Sequence, residues 1–197
     1  MFSAASARIL AASRCGSRTG LSCAQRTVQL RHSSIAVRAA SYPYPLWIIP
    51  QETDRSAISV LAPEELEGNN GNVIVGWAKG LPKDSTDLKP AGFTGNSEFE
   101  DVLHDVLKQH ISEDVGAQGL AMHQKLGYLN INDERSYAPF GRVSDPEDIL
   151  GTCRLDDGKI VPGSYERMPT HRIVSGNGLF QLSEYIHEKL VARLRKQ

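Results

Sequence analysis

The sequence predicts an α+β fold: a single small domain with a short, mainly antiparallel sheet and two principal helices. Three observations carry that expectation. Two stretches near residues 97–111 and 183–195 repeat apolar residues at helical spacing, several short alternating or β-branched runs are separated by Gly, Pro, Asn and Asp clusters, and no internal repeat divides the chain.

The chain opens on a segment of different composition. From Met1 to Gln51 there is no Asp, Glu or Lys, while Arg8, Arg14, Arg18, Arg26, Arg31 and Arg38 stand among many serines and alanines. That is the composition of a mitochondrial targeting presequence. Phe2, Ala5, Ile9 and Ala12 fall on one helical face with Arg14 and Arg18 roughly opposite, the amphipathic form that import receptors read. Residues 1–40 are therefore expected to address the chain to the mitochondrion, to the matrix or the matrix face of the inner membrane, through the import machinery. Cleavage is expected near Arg31-His32-Ser33-Ser34 or Arg38-Ala39-Ala40-Ser41.

Removing those six arginines from the 22 basic residues leaves 16 against 23 acidic ones, so the remainder has a net charge near −7. An acidic domain of this kind offers no general surface for phosphates, which argues against nucleic acid as a partner. Cys15 and Cys23 lie in the targeting segment, and Cys153 alone follows it, so neither a disulfide nor a cysteine-based zinc site is expected beyond residue 40. No apolar run approaches the roughly 18 residues of a membrane span.

Tyr42-Pro43-Tyr44-Pro45-Leu46-Trp47-Ile48-Ile49-Pro50 alternates aromatic residues with proline, which fixes φ and favours an extended arm over residues 41–56. Such an arm either packs across its own domain or docks on another protein. The second option makes Tyr42, Tyr44 and Trp47 candidate partner-binding residues.

Residues 57–197 are expected to form the domain itself. Ala57 to Leu61 and Val73 to Trp77 read as strands, with the Asn69-Asn70-Gly71-Asn72 turn between them, and residues 79–95 read as a loop. The clearest helix follows, because Phe99, Val102, Leu103, Val106, Leu107 and Ile111 form one apolar stripe, capped by Asn96 or Ser97. Gly116 and Gly119 then interrupt, with a short helix resuming from Leu120 to Leu126 and a strand from Gly127 to Asn132. Asp145-Pro146 starts a helical turn, Ile149 to Leu155 is a strand, and Asp156-Asp157-Gly158-Lys159 turns it back as a hairpin. Met168 to Ser175 reads as a further strand. The last helix runs from about Ser183 to Arg195, with Leu182, Ile186, Leu190 and Leu194 inward and basic residues at its C-terminal end.

No phosphate-binding loop, dinucleotide fingerprint, nucleophile elbow or zinc-protease helix is present. Glu184 and His187, and Glu100 and His104, share helix faces at metal-ligand spacing, but neither pair has the further ligands a site needs, and both read as solvated faces. Accordingly no metal and no cofactor is expected. Cys153 reads as a small buried hydrophobe rather than a nucleophile activated by His171. Arg154, His171 and Arg172 are candidate ligand-binding residues for an anion, Arg being suited to that by its planar fork.

The segments Asp145-Pro146-Glu147-Asp148-Ile149-Leu150-Gly151, Asp157 to Tyr165 and Met168-Pro169-Thr170-His171-Arg172-Ile173-Val174 resemble the C-terminal part of small fungal mitochondrial proteins that have no assigned activity. The resemblance covers about the last quarter of the chain. It implies a mitochondrial address and supplies no catalytic residues.

Without a catalytic signature, the sequence favours a non-enzymatic matrix protein, an accessory or assembly factor of a larger complex in mitochondrial translation or the respiratory chain, with a protein partner there. The alternative is a small enzyme or anion-binding domain whose site lies near the 79–95 loop and the C-terminal sheet. A third reading places the basic end of the last helix on an anionic membrane surface.

Overall fold

In the computed structural model, residues 36–39, 42–51, 54–66, 71–80, 88–135 and 144–196 are described. The expected targeting segment to residue 35 and part of the 79–95 loop, residues 81–87, lie outside them. The fold is α+β, with mainly antiparallel sheets and, among the described residues, three α-helices.

Five strands make the first sheet in chain order: β1 (Val37–Arg38), β2 (Trp47–Pro50), β3 (Arg55–Ser59), β4 (Ile74–Lys79) and β5 (Phe93–Gly95), each antiparallel to the next. The expected proline-aromatic arm thus supplies β2, whose Trp47 to Pro50 pair with Ser59 to Ser56. Even the end of the expected targeting segment takes part, since Val37 faces Ile48 and Ala39 is buried. At Gly76 a Cβ would lie 2.4 Å from the Phe93 ring and 2.5 Å from the Thr94 carbonyl, so only glycine lets β5 come this close.

The second sheet is built on β7 (Ile149–Asp156). β6 (Gly127–Asn132) lies on one side of it, and β8 (Lys159–Ile160) and β9 (Glu166–Arg167) on the other. The turn into β8 has positive φ at both Asp157 (45°) and Gly158 (78°), the I′ geometry that twists with its strands. β10 (Val174–Ser175) and β11 (Gly178–Leu179) form a separate hairpin. Of the single strand expected over Met168–Ser175, only Val174–Ser175 is strand, and residues 168–173 are irregular. Pro169 has no N–H to give a ladder, and Thr170 bonds its hydroxyl to the Pro146 carbonyl.

Helix α1 (Ser97–His110) follows the expected stripe, with Phe99, Leu103, Val106 and Leu107 buried. Its cap is Asn96, not Ser97. The Asn96 side chain accepts from Glu98 N and donates to the carbonyls of Gly71 and Ile74, tying the helix start to the first sheet. Helix α2 (Val115–Gln124) begins five residues earlier than expected. Asp114 caps it by accepting from Ala117 N at 2.8 Å, which offsets the roughly 1 kcal/mol that each of Gly116 and Gly119 costs within a helix. Helix α3 (Glu184–Leu194) starts at Ser183, whose hydroxyl also donates to Asp114 at 2.6 Å, so the caps of α2 and α3 are joined.

One core unites these pieces. Phe99 and Phe180 meet edge to face at 5.9 Å, and Ile58, Leu107, Cys153, Ile186 and Leu190 close around them with almost no exposed surface. Truncating a side chain such as Phe99 to Ala costs about 3–5 kcal/mol in sites of this kind.

Candidate functional site

Residues 133–135 follow β6 and carry the most polar part of the interior. The Arg135 side chain is only 1% exposed, and its Nε lies 2.9 Å from Oδ1 of Asp148 and 3.3 Å from Oδ2 of Asp133, both wholly buried. Its two terminal nitrogens donate to the carbonyls of Ile173, Gly178, Glu147 and Arg172 at 2.7–3.1 Å. Asp148 also receives Ser175 Oγ and Asn177 Nδ2, and Asp133 receives the backbone N–H groups of Arg135 and Gln181. A buried charge is tolerated when it is paired and bonded in this way.

Asp148, Ser175 and Asn177 of this cluster line a cleft of about 720 Å³ between residues 145–148 and 169–177. His171 lines it with a side chain 3% exposed, its Nε2 3.5 Å from Asp133 Oδ2. Arg172 lies beside it, paired at 3.3 Å with Glu147. A carboxylate hydrogen-bonded to an imidazole is a recurring arrangement for a general base, but at 3.5 Å His171 Nε2 and Asp133 Oδ2 make no hydrogen bond. The lining hydroxyls are also committed elsewhere, Ser175 to Asp148 and Thr170 to Pro146. Asp145, Glu147 and Asp148 also give the cleft an acidic wall, which disfavours an anion.

Of the three residues expected to gather around a ligand, the cleft brings together His171 and Arg172. Arg154 stands apart, exposed on β7 opposite Tyr128 and five residues beyond Ile149, roughly 17 Å along a strand. The partner-binding candidates lie on the chain's own surface. Tyr42 donates to the Phe180 carbonyl, Tyr44 donates to the Leu182 carbonyl at 3.0 Å, and Trp47 is half-buried in β2.

The histidines differ from the sequence expectation. His104 does not face solvent: it is 7% exposed and its Nδ1 is 2.8 Å from the Tyr165 hydroxyl, which in turn donates to the Leu150 carbonyl at 2.9 Å. A phenol has one proton, so His104 carries its own on Nδ1. Burial, then Arg167 and His171, lower its pKa to about 3, so this imidazole stays neutral. His187 is likewise buried and stacks on Tyr44 at 4.1 Å, while Glu184 remains exposed. Burial raises the Cys153 thiol to about 11, which suits a packed side chain and not a nucleophile. Among the described residues no group of three or more His, Cys, Asp or Glu is arranged to hold a metal.

Comparison with protein families, with curated proteins and with solved structures finds no match to this chain.

A second feature lies on the surface. The exposed large apolar side chains among the described residues are Val115, Leu120, Met122, Leu126 and Tyr128, all from one stretch of chain. Helix α2 has no charged residue, and only Ala117 and Ala121 of it are buried. Its outer side combines Val115, Gly119 and Met122, which come together at 100° per residue. No sequence signal marks this face, because α2 lacks the amphipathic stripe that identifies α1. The Asp133–Arg135–Asp148 cluster was equally silent, since its members are ordinary loop residues until the chain brings them together.

Proposed function

We propose that the chain is a non-enzymatic protein of the mitochondrial matrix, an accessory or assembly factor of a larger complex in mitochondrial translation or the respiratory chain. The observation that carries this reading is the concentration of exposed apolar side chains between Val115 and Tyr128, on and beside a charge-free helix. Apolar patches of this kind mark protein contacts more than they mark solvent-facing surface. The acid-free, arginine-rich N-terminal segment supports the address. The buried polar cluster supports a structural use of the chemistry-bearing residues, since its carboxylates and guanidinium are taken up by backbone and by each other.

The alternative, a small enzyme or anion-binding domain, draws on His171 and Arg172 in the 720 Å³ cleft. Its acidic wall and the separation of Arg154 weigh against an anion.

The test is native sizing of mitochondrial extracts. The wild-type chain is expected in a large assembly, and the double variant Val115→Glu, Met122→Glu is expected to leave it while folding normally. Migration of the wild type solely as a monomer overturns the reading.

A further inference from the structure

A groove of about 450 Å³ runs between α2 and the strand β6, a size within the roughly 300–1,000 Å³ of ligand sites. Its floor is apolar, built on Leu107, Ile111, Leu182 and Ile186 from α1, α3 and their flanks, all buried. Its lining includes the exposed Glu134 and the buried cap carboxylate of Asp114, and no Lys or Arg lines it. Burial, then the Asp114 and Asp133 carboxylates, hold the Glu134 carboxyl above its usual range.

One wall is, among the described residues, an edge strand. There β6 pairs only with β7, and the residues from Asn130 to Glu134 line the groove in succession. In an antiparallel strand the backbone groups of alternate residues point to opposite sides. The Tyr128 carbonyl accepts from Gln124 Nε2 at 2.7 Å, on the side away from β7, whereas Asp133 N donates to Asp148 across the β7 side. Asn130 shares the parity of Tyr128, so its N–H and C=O face the groove, where no partner meets them among the described residues. Asn132 Oδ1, also in this wall, is buried without a hydrogen bond there. An edge of this kind beside an apolar floor is the arrangement by which a sheet accepts an added strand.

We propose that this groove binds an extended peptide that pairs with Asn130 as an added strand, seats an apolar side chain on the floor and sets a basic residue against Asp114 and Glu134. The occupant follows from complementarity: backbone groups ask for a strand, the floor for an aliphatic side chain, and an acidic lining without Lys or Arg for a basic residue. The groove shares Leu120 with the exposed apolar stretch but is not lined by Val115 or Met122, so peptide binding and membership in a larger complex are tested by different variants.

The experiment uses the full chain and a fluorescent octapeptide of alternating lysine and valine, with a glutamate–valine octapeptide as its counterpart. The lysine peptide is expected to bind at least about tenfold more tightly than the glutamate peptide, with binding that weakens in salt. At saturation the Asn130 amide is expected to exchange its hydrogen at least about tenfold more slowly. Glu134→Lys, an exposed change that leaves the fold intact, is expected to weaken binding by about fivefold or more. Asn130→Pro removes the N–H and is expected to abolish binding. Unchanged Asn130 exchange in the saturated complex, wild-type affinity in Glu134→Lys, or no binding by the lysine peptide at about 1 mM, far weaker than useful recognition, each overturns the proposal.

Discussion

Arg135 Nε and Asp148 Oδ1 meet at 2.9 Å in a place where neither side chain touches solvent. Through this contact the segment after β6 grips the C-terminal part of the chain. Asp148 holds Ser175 and Asn177 of the β10–β11 hairpin, and Arg135 gathers carbonyls from residues 147, 172, 173 and 178. The cleft containing His171 owes its shape to that grip.

Replacing Arg135 by Met is expected to destabilise the fold by about 3–5 kcal/mol, because it leaves two buried carboxylates without their counter-charge. Arg172→Met is the control. Its ion pair with Glu147 is largely exposed, so the loss is expected to stay below about 1 kcal/mol. Urea unfolding of both variants measures the contrast, and equal midpoints would contradict the role given to Arg135.

Acid should weaken the fold through His104. Its folded pKa of about 3 lies below the ordinary 6.5, so between those values the unfolded chain binds a proton that the folded chain refuses. The contribution is complete above pH 6.5 and is lost as pH falls toward 3. At pH 5 the deficit amounts to about 2 kcal/mol. His187, lowered by burial, acts in the same direction. Denaturation midpoints of the wild type and His104→Gln from pH 7 to 4 provide the check: the variant's pH slope is expected to be smaller by up to one proton.

What could be read in advance was local. The α1 stripe and the α3 stripe name their own buried faces, and Asp157-Gly158 specifies its turn through the φ values those residues tolerate. His104 lies where helical spacing alone does not decide the direction of a side chain. It lies about 20° beyond Ile111 at the margin of the stripe, by the 100° helical step, and only Tyr165, from sixty-one residues later, decides that it turns inward. The α2 helix was obscured for a different reason, since a buried face of two alanines leaves no periodic signal. Arg135 and the cleft depend on contacts across long separations, and spacing along the chain does not encode them.

Cys153 is expected to resist thiol reagents in the native protein. It is fully buried in β7, and its pKa of about 11 leaves almost no thiolate at pH 8. Peptide mapping after alkylation separates it from Cys15 and Cys23, and labelling of Cys153 is expected only in denaturant. Modification at a native rate matching that of a free thiol would show that the second sheet opens readily.

Under the proposed mitochondrial address, the mature N-terminus is expected at or before Ala36. Processing at the Arg38-Ala39-Ala40-Ser41 site would remove β1, whose Val37 and Arg38 face Ile48 and Trp47, and would discard the Ala39 N–H that donates to the Leu46 carbonyl at 2.9 Å. It would also uncover the outer edge of β2, whose Ile48 is 2% exposed. Processing near Arg31-His32-Ser33-Ser34 spares all of these contacts. N-terminal mass spectrometry of the protein from mitochondria distinguishes the two sites. A chain engineered to begin at Ser41 is expected to unfold at lower urea than one beginning at Ser34, by about 1–2 kcal/mol for the lost strand contacts.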